Sequence, residues 1–160
     1  MRDQPLAYHI TFGTYGARLH GDERRTVDRR HNTPGAPVLG ASDTRLRFEL
    51  SRLKQSPVIL SAQQRFHIQD FLPVVCTRGG WEYLAGAAQV DHVHVLLRAA
   101  QEGKAVRRWL KVWLGQEMSG RWPLSAGQSW WAEGGSVKHV WDEAYLARVF
   151  DYIQQQRTTE

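Results

Sequence analysis

Between Ala7 and Gln156 the spacing of apolar residues switches repeatedly between every second residue and every third or fourth, which restricts the chain to a few layered folds. Ala7 to Thr14 (AYHITFGT) alternates roughly between apolar and polar, with aromatic and β-branched members, as a half-buried strand does. Ser61-Ala62-Gln63-Gln64 has the spacing of a capping box, and the stretch it opens reaches Arg78 just before Gly79-Gly80, which predicts a helix over 61–78. Trp81 to Val90 and Asp91 to Leu97 are apolar-rich runs in close succession and read as adjacent antiparallel strands. From Gly103 onward, Val106, Trp109, Leu110, Trp113, Leu114 and Met118 share one side of a helix that ends near Trp122-Pro123. A Gly/Ser/Trp-rich stretch follows, then a short strand from Ser136 to Trp141, then Asp142 as the N-cap of a last helix to about Gln156.

The order β-α-β-β-α-β-α is a split β-α-β pattern extended by one helix. It predicts an α+β, ferredoxin-like antiparallel sheet with helices packed on one face and a C-terminal helix. At 160 residues the chain has the length of a single domain, 1–160. Its long connection, about 15–57, is polar and Gly/Pro-bearing, with Leu46, Leu50 and Leu53 spaced for one short helix. No apolar run approaches transmembrane length and none resembles a signal peptide. Cys76 is the only cysteine, which excludes an internal disulfide and a cysteine-based zinc site, and a reducing cytoplasm is the expected location.

Charge points to an anionic partner. The net charge is +5, and two basic segments flank the central strands. Residues 18–54 hold nine Lys/Arg against five Asp/Glu, and residues 98–111 hold five against one, Glu102. Arg24, Arg25, Arg29 and Arg30 in the first segment, with Lys104, Arg107, Arg108 and Lys111 in the second, are candidates for phosphate contacts. Trp109 and Trp113 fit the apolar stripe of their helix, so the tryptophans expected to stack on unpaired bases are Trp130 and Trp131, in the Gly/Ser-rich loop.

His92-Val93-His94 lies on a predicted strand, where residues two apart project to the same side. Two imidazoles side by side are poor core residues, since each needs hydrogen-bond partners, and good metal ligands. On the last helix Tyr152 and Gln156 are four residues apart and share a face. At ~100° per residue, Leu146, Val149, Phe150 and Ile153 centre on one direction, while Tyr145, Tyr152 and Gln156 cluster roughly a quarter-turn away. A phenol at the edge of the apolar stripe can reach a neighbouring sheet, and an amide oxygen one turn on can serve as a hard-metal ligand. His9-Ile10-Thr11 is an H-x-T, which raises a two-histidine phosphoesterase as a rival; that chemistry needs a second H-x-S/T on a strand, and the other one in this chain, His31-Asn32-Thr33, lies in the polar connection at 15–57. His20, His31, His67 and His139 read as surface or structural residues.

Three segments together resemble one family. DHVHVLL is similar to the histidine-hydrophobic-histidine strand of the single-tyrosine HUH transposases of small bacterial insertion sequences and of their relatives, the REP-associated tyrosine transposases. DYIQQQ is similar to their catalytic-helix segment, and YHITFGTYGARLHGD to their opening strand. The resemblance implies that His92, His94 and Gln156 bind Mg²⁺ or Mn²⁺ and that Tyr152, on a catalytic C-terminal helix, is the nucleophile. It further implies single-stranded or hairpin DNA as partner, a 5'-phosphotyrosine intermediate in DNA transposition, and a homodimer as one option, because the family exchanges its last helix between partners. The connection at 15–57 is richer in arginine than a minimal member of that family requires. Two other readings stay open: a non-catalytic DNA-hairpin binding protein derived from a transposase, and a small replication-initiator-type nicking enzyme.

Overall fold

A computed structural model describes residues 4–17 and 55–159. Arg24, Arg25, Arg29, Arg30 and the short helix expected around Leu46 to Leu53 lie outside the described residues. Seven elements follow in order: β1 (Ala7–Gly13), α1 (Ala62–Gly79), β2 (Glu82–Ala88), β3 (His92–Arg98), α2 (Gly103–Arg121), β4 (Ser136–Val140) and α3 (Glu143–Gln156). The expected order is the observed one. Local chemistry sets the helix ends: Ser61 Oγ accepts from the Gln64 amide at 3.1 Å and Gln64 Oε1 accepts from the Ser61 amide at 2.8 Å. Gly80, at φ 75°, closes α1 in the left-handed conformation that a side chain would strain. Asp142 Oδ1 accepts from the Tyr145 amide at 2.8 Å and starts α3.

The strands form one antiparallel sheet in the order β2-β3-β1-β4, the ferredoxin-like arrangement. Its two faces are covered differently. Alternation sends Ile10 and Phe12 of β1 and Val93, Val95 and Leu97 of β3 to one face. There they are fully buried against Ile68, Leu72 and Val75 of α1 and Val106, Leu110 and Leu114 of α2. The opposite face carries Ala7, Ala85, Ala87, Leu96 and Val140, and α3 lays Val149 and Ile153 on it. Burying a leucine- or valine-sized side chain contributes roughly 1.5–3 kcal/mol, so the larger cluster under α1 and α2 dominates stability and leaves the α3 face free for polar residues.

Two contacts seat α3. The chain beyond it is clamped by Gln69, a buried α1 amide whose Oε1 accepts from the Thr158 amide at 2.8 Å and whose Nε2 donates to the Thr158 carbonyl at 3.1 Å. Arg157 Nη1 donates to the Gly86 carbonyl of β2 at 2.8 Å. At the other end of the molecule, α2 starts so close to the sheet that a Cβ on Gly103 would sit 2.5 Å from Val137 Cγ1 and 3.1 Å from Tyr8. Among the described residues no helix is long and apolar enough to cross a membrane.

Candidate active site

The register of the central strands assembles a polar patch on the face that α3 partly covers. Thr11 of β1 pairs with His94 of β3 and with Ser136 of β4, while His9 pairs with Leu96 and with Lys138. Odd residues of β1 and even residues of β3 therefore share a face, and His9, Thr11, His92 and His94 all stand on it. Phase alone brings the two histidines of β3 together. Their rings meet edge to face with centroids 4.9 Å apart.

Each ring is held through Nδ1. His92 Nδ1 lies 2.9 Å from Asp91 Oδ1. His94 Nδ1 lies 3.0 Å from Thr11 Oγ1 and 3.1 Å from His9 Nε2. His94 is 5% exposed, and its Nε2 is the one buried side-chain nitrogen or oxygen among the described residues with no hydrogen-bond partner. A buried imidazole nitrogen left unpaired costs about 1–3 kcal/mol unless something takes its lone pair. Burial, followed by the charges of His92, His9 and Lys138, holds the His94 pKa down to about 3. Burial, then Lys138, holds His9 down to about 4. Both rings are thus neutral at physiological pH, the form in which imidazole binds a metal.

Tyr152 of α3 comes to this patch from above. Its ring is edge-on to His94 at 5.5 Å between centroids and to His9 at 6.4 Å, and the residue is 46% exposed. One turn on, the Gln156 carbonyl accepts from Gln89 Nε2, and the Gln89 amide donates to the His92 carbonyl at 2.8 Å. Gln89 therefore ties the end of α3 to the turn that carries His92. Tyr145 lines the same cleft two turns earlier but packs with the apolar residues under α3, and Arg148 lies over its ring.

Searches of family models and of curated proteins returned no match. Solved structures do match. A crystal structure of a candidate transposase from Deinococcus radiodurans R1 superposes over 99% of this chain and 95% of that one, with 20% identity and a TM-score of 0.54. The chain shares the fold of that structure. A REP-associated tyrosine transposase bound to a REP hairpin aligns over 96% of this chain and 68% of that one, with 12% identity and a TM-score of 0.46.

The histidine pair fits a divalent ion by its own chemistry. A carboxylate on one Nδ1 and a threonine hydroxyl on the other are the partners that orient metal-binding imidazoles, and the orphaned Nε2 of His94 is a donor atom with nothing to donate to. No group of three His, Cys, Asp or Glu side chains able to hold a metal occurs among the described residues. Of the expected Gln156 ligand, the contacts fix the backbone carbonyl, which Gln89 holds.

The expected DNA contacts divide. Lys104 and Arg108 are exposed, the latter over the Trp109 ring. Arg107 Nη1 and Lys111 Nζ are instead taken up by the loop after α2, donating to the carbonyls of Gly135 at 3.0 Å and of Ala132 and Gly134 at 2.7 and 2.9 Å. That loop also corrects the expectation for Trp130 and Trp131. Both rings are buried in the main core, with Trp130 Nε1 donating to Ser119 Oγ and Trp131 Nε1 to the Lys111 carbonyl, so neither has a free face for a base. The reverse holds for Trp109, expected in the stripe and found 44% exposed.

Residue-by-residue reading missed His9, Thr11, Lys138 and Arg148 as members of the site. The H-x-T of β1 was a signal for the first two, because any β1 pairing with β3 in this phase sets it against His92-Val93-His94.

Proposed function

We propose that the chain is a metal-dependent transposase that cleaves and rejoins single-stranded DNA through a covalent link to Tyr152. One observation carries this reading: the Tyr152 ring packs against His94, the residue whose Nε2 is buried without a partner, with His92 beside it. A nucleophile beside two oriented imidazoles forms a constellation for attack on a phosphodiester.

His92, His94 and Gln156 are the residues that would hold Mg²⁺ or Mn²⁺. Bound there, the ion supplies Lewis-acid polarisation of a phosphate oxygen. The chain's own residues supply the rest. Tyr152 Oη forms a bond to phosphorus as the bond from phosphorus to the 3'-oxygen breaks. The phenol loses its proton and the departing 3'-oxygen gains one, leaving a 5'-phosphotyrosine and a free 3'-hydroxyl. No bond energy is lost to water, so attack by a 3'-hydroxyl on the phosphotyrosine restores the phenol and rejoins a strand. Seating Tyr152 and Gln156 on one helix fixes the nucleophile relative to a ligand, which is where orientation lowers the barrier. Asp91 and Thr11 hold the imidazoles, and neutral His94 keeps its lone pair.

The DNA partner we propose is single-stranded or hairpin DNA. Incubation with the hairpins flanking the chain's own gene, in Mn²⁺, should yield a protein–DNA adduct that survives denaturation. Hairpin binding without any adduct would leave a non-catalytic DNA-binding protein as the better description.

A further inference from the structure

The cleft beside Tyr152 extends beyond the histidines. Because α3 packs on β2 and β3, the β1–β4 half of that sheet face stays open, and a cavity of about 500 Å³ lies there between His9, Thr11 and Ser136 on the sheet and Tyr145, Arg148 and Tyr152 on α3. Lys138 lines it from β4, placed opposite His9 by the strand register. The lining contains two cations and no carboxylate. Among the described residues neither the Lys138 nor the Arg148 side chain makes a salt bridge or a hydrogen bond, Arg148 resting over the Tyr145 ring, whereas the Arg107 and Lys111 side chains are engaged by loop carbonyls. Lys138 is near enough to bear electrostatically on both His9 and His94.

We infer that Lys138 and Arg148 form a phosphate-binding subsite that holds the single strand next to the phosphodiester facing Tyr152. The inference rests on the reading of Tyr152 as nucleophile and adds to it the path of the strand: from Tyr152 across β1 to β4, away from His92, which does not line the cavity. A space of this size is in the range of small-ligand pockets. It has room for a strand one nucleotide wide, and unpaired DNA is the ligand the subsite would take. The cations neutralise flanking phosphates, with the reacting one left to the histidine side.

The test uses the uncleaving Tyr152→Phe chain and a labelled single-stranded oligonucleotide, with binding measured by anisotropy across a salt series. Each neutralised single-strand phosphate contributes about 0.7 to the slope of log K against log salt. Lys138→Gln and Arg148→Gln should each lower the slope by about 0.7 and the pair by about 1.4, with affinity reduced several-fold. Lys138→Arg should restore it. Arg98→Gln with Arg121→Gln, an equal change in net charge elsewhere, should leave the slope at the parent value. A parent-like slope in the Lys138/Arg148 double variant overturns the subsite. Adduct formation by the Tyr152 chain is scored separately: if it occurs while the slope is unchanged, only the subsite fails, and if it is absent while the slope falls, only the nucleophile reading fails.

Discussion

Thr11 and His94 face each other across the β1–β3 pairing with 3.0 Å between Oγ1 and Nδ1. That contact, with His9 Nε2 at 3.1 Å from the same nitrogen, decides what the other nitrogen of His94 can do. With the ring proton on Nδ1 and donated to the hydroxyl, Nε2 keeps a lone pair for a metal.

Thr11→Val removes the hydroxyl and keeps the shape. It should weaken Mn²⁺ binding, measured by titration calorimetry, by roughly 10-fold, the lower part of the range for such orienting partners, because His9 remains as an acceptor. The thermal midpoint should change little. Unaltered Mn²⁺ affinity would mean that Thr11 does not set the ring.

Gln69 holds the end of α3 through Thr158 and also accepts from the Ala88 amide at 3.1 Å. Gln69→Leu leaves two backbone N–H groups without partners, each at a cost of about 1–3 kcal/mol. A lower thermal midpoint is expected, together with faster hydrogen exchange at residues 156–159. An unchanged midpoint and exchange rate would show that the tail is held by other contacts.

Gly103→Ala puts a methyl group into Val137 and Tyr8. Overpacking of this kind costs roughly 1–3 kcal/mol, which denaturant unfolding should report as a lower midpoint at constant m-value. Neutral or raised stability would contradict the close approach of α2 to the sheet.

Cys76 is fully buried in the main core, and burial pushes its thiol up to about 12 from an ordinary value of 9.0. Native alkylation should therefore be suppressed by roughly 1,000-fold through thiolate population alone, and should reach the free-cysteine rate in urea. Between about 9 and 12 the unfolded chain loses this proton and the folded chain keeps it, so this group lowers stability as pH rises through that window. Rapid alkylation of the native chain at pH 8 would contradict the burial.

Much of this arrangement is legible in the order of residues alone. Strand alternation and helix periodicity locate most of the elements, and the Ser61 and Asp142 caps mark helix starts by side-chain chemistry. The common face of His92 and His94 follows from strand phase. What sequence spacing does not carry is pairing between distant strands. His9 and Lys138 become part of the site only when β1 is set between β3 and β4, 85 residues from His94 in one case. Trp130 and Trp131 show the same limit in the other direction. A Gly/Ser-rich setting suggests exposure, yet the loop folds back on α2, where Lys111 binds its carbonyls and both indoles enter the core.

Tyr152 is tested most directly by locating the DNA on the protein. The Tyr152 ring lies beside His94, whereas Tyr145 packs under α3. Mass spectrometry of a nuclease-trimmed adduct should place the nucleotide mass on Tyr152. Tyr152→Phe, which deletes one oxygen, should abolish the adduct while hairpin affinity stays nearly unchanged, and Tyr145→Phe should retain most of it. A nucleotide found on Tyr145, or undiminished adduct from the Tyr152→Phe chain, would contradict the assignment of Tyr152 as the nucleophile.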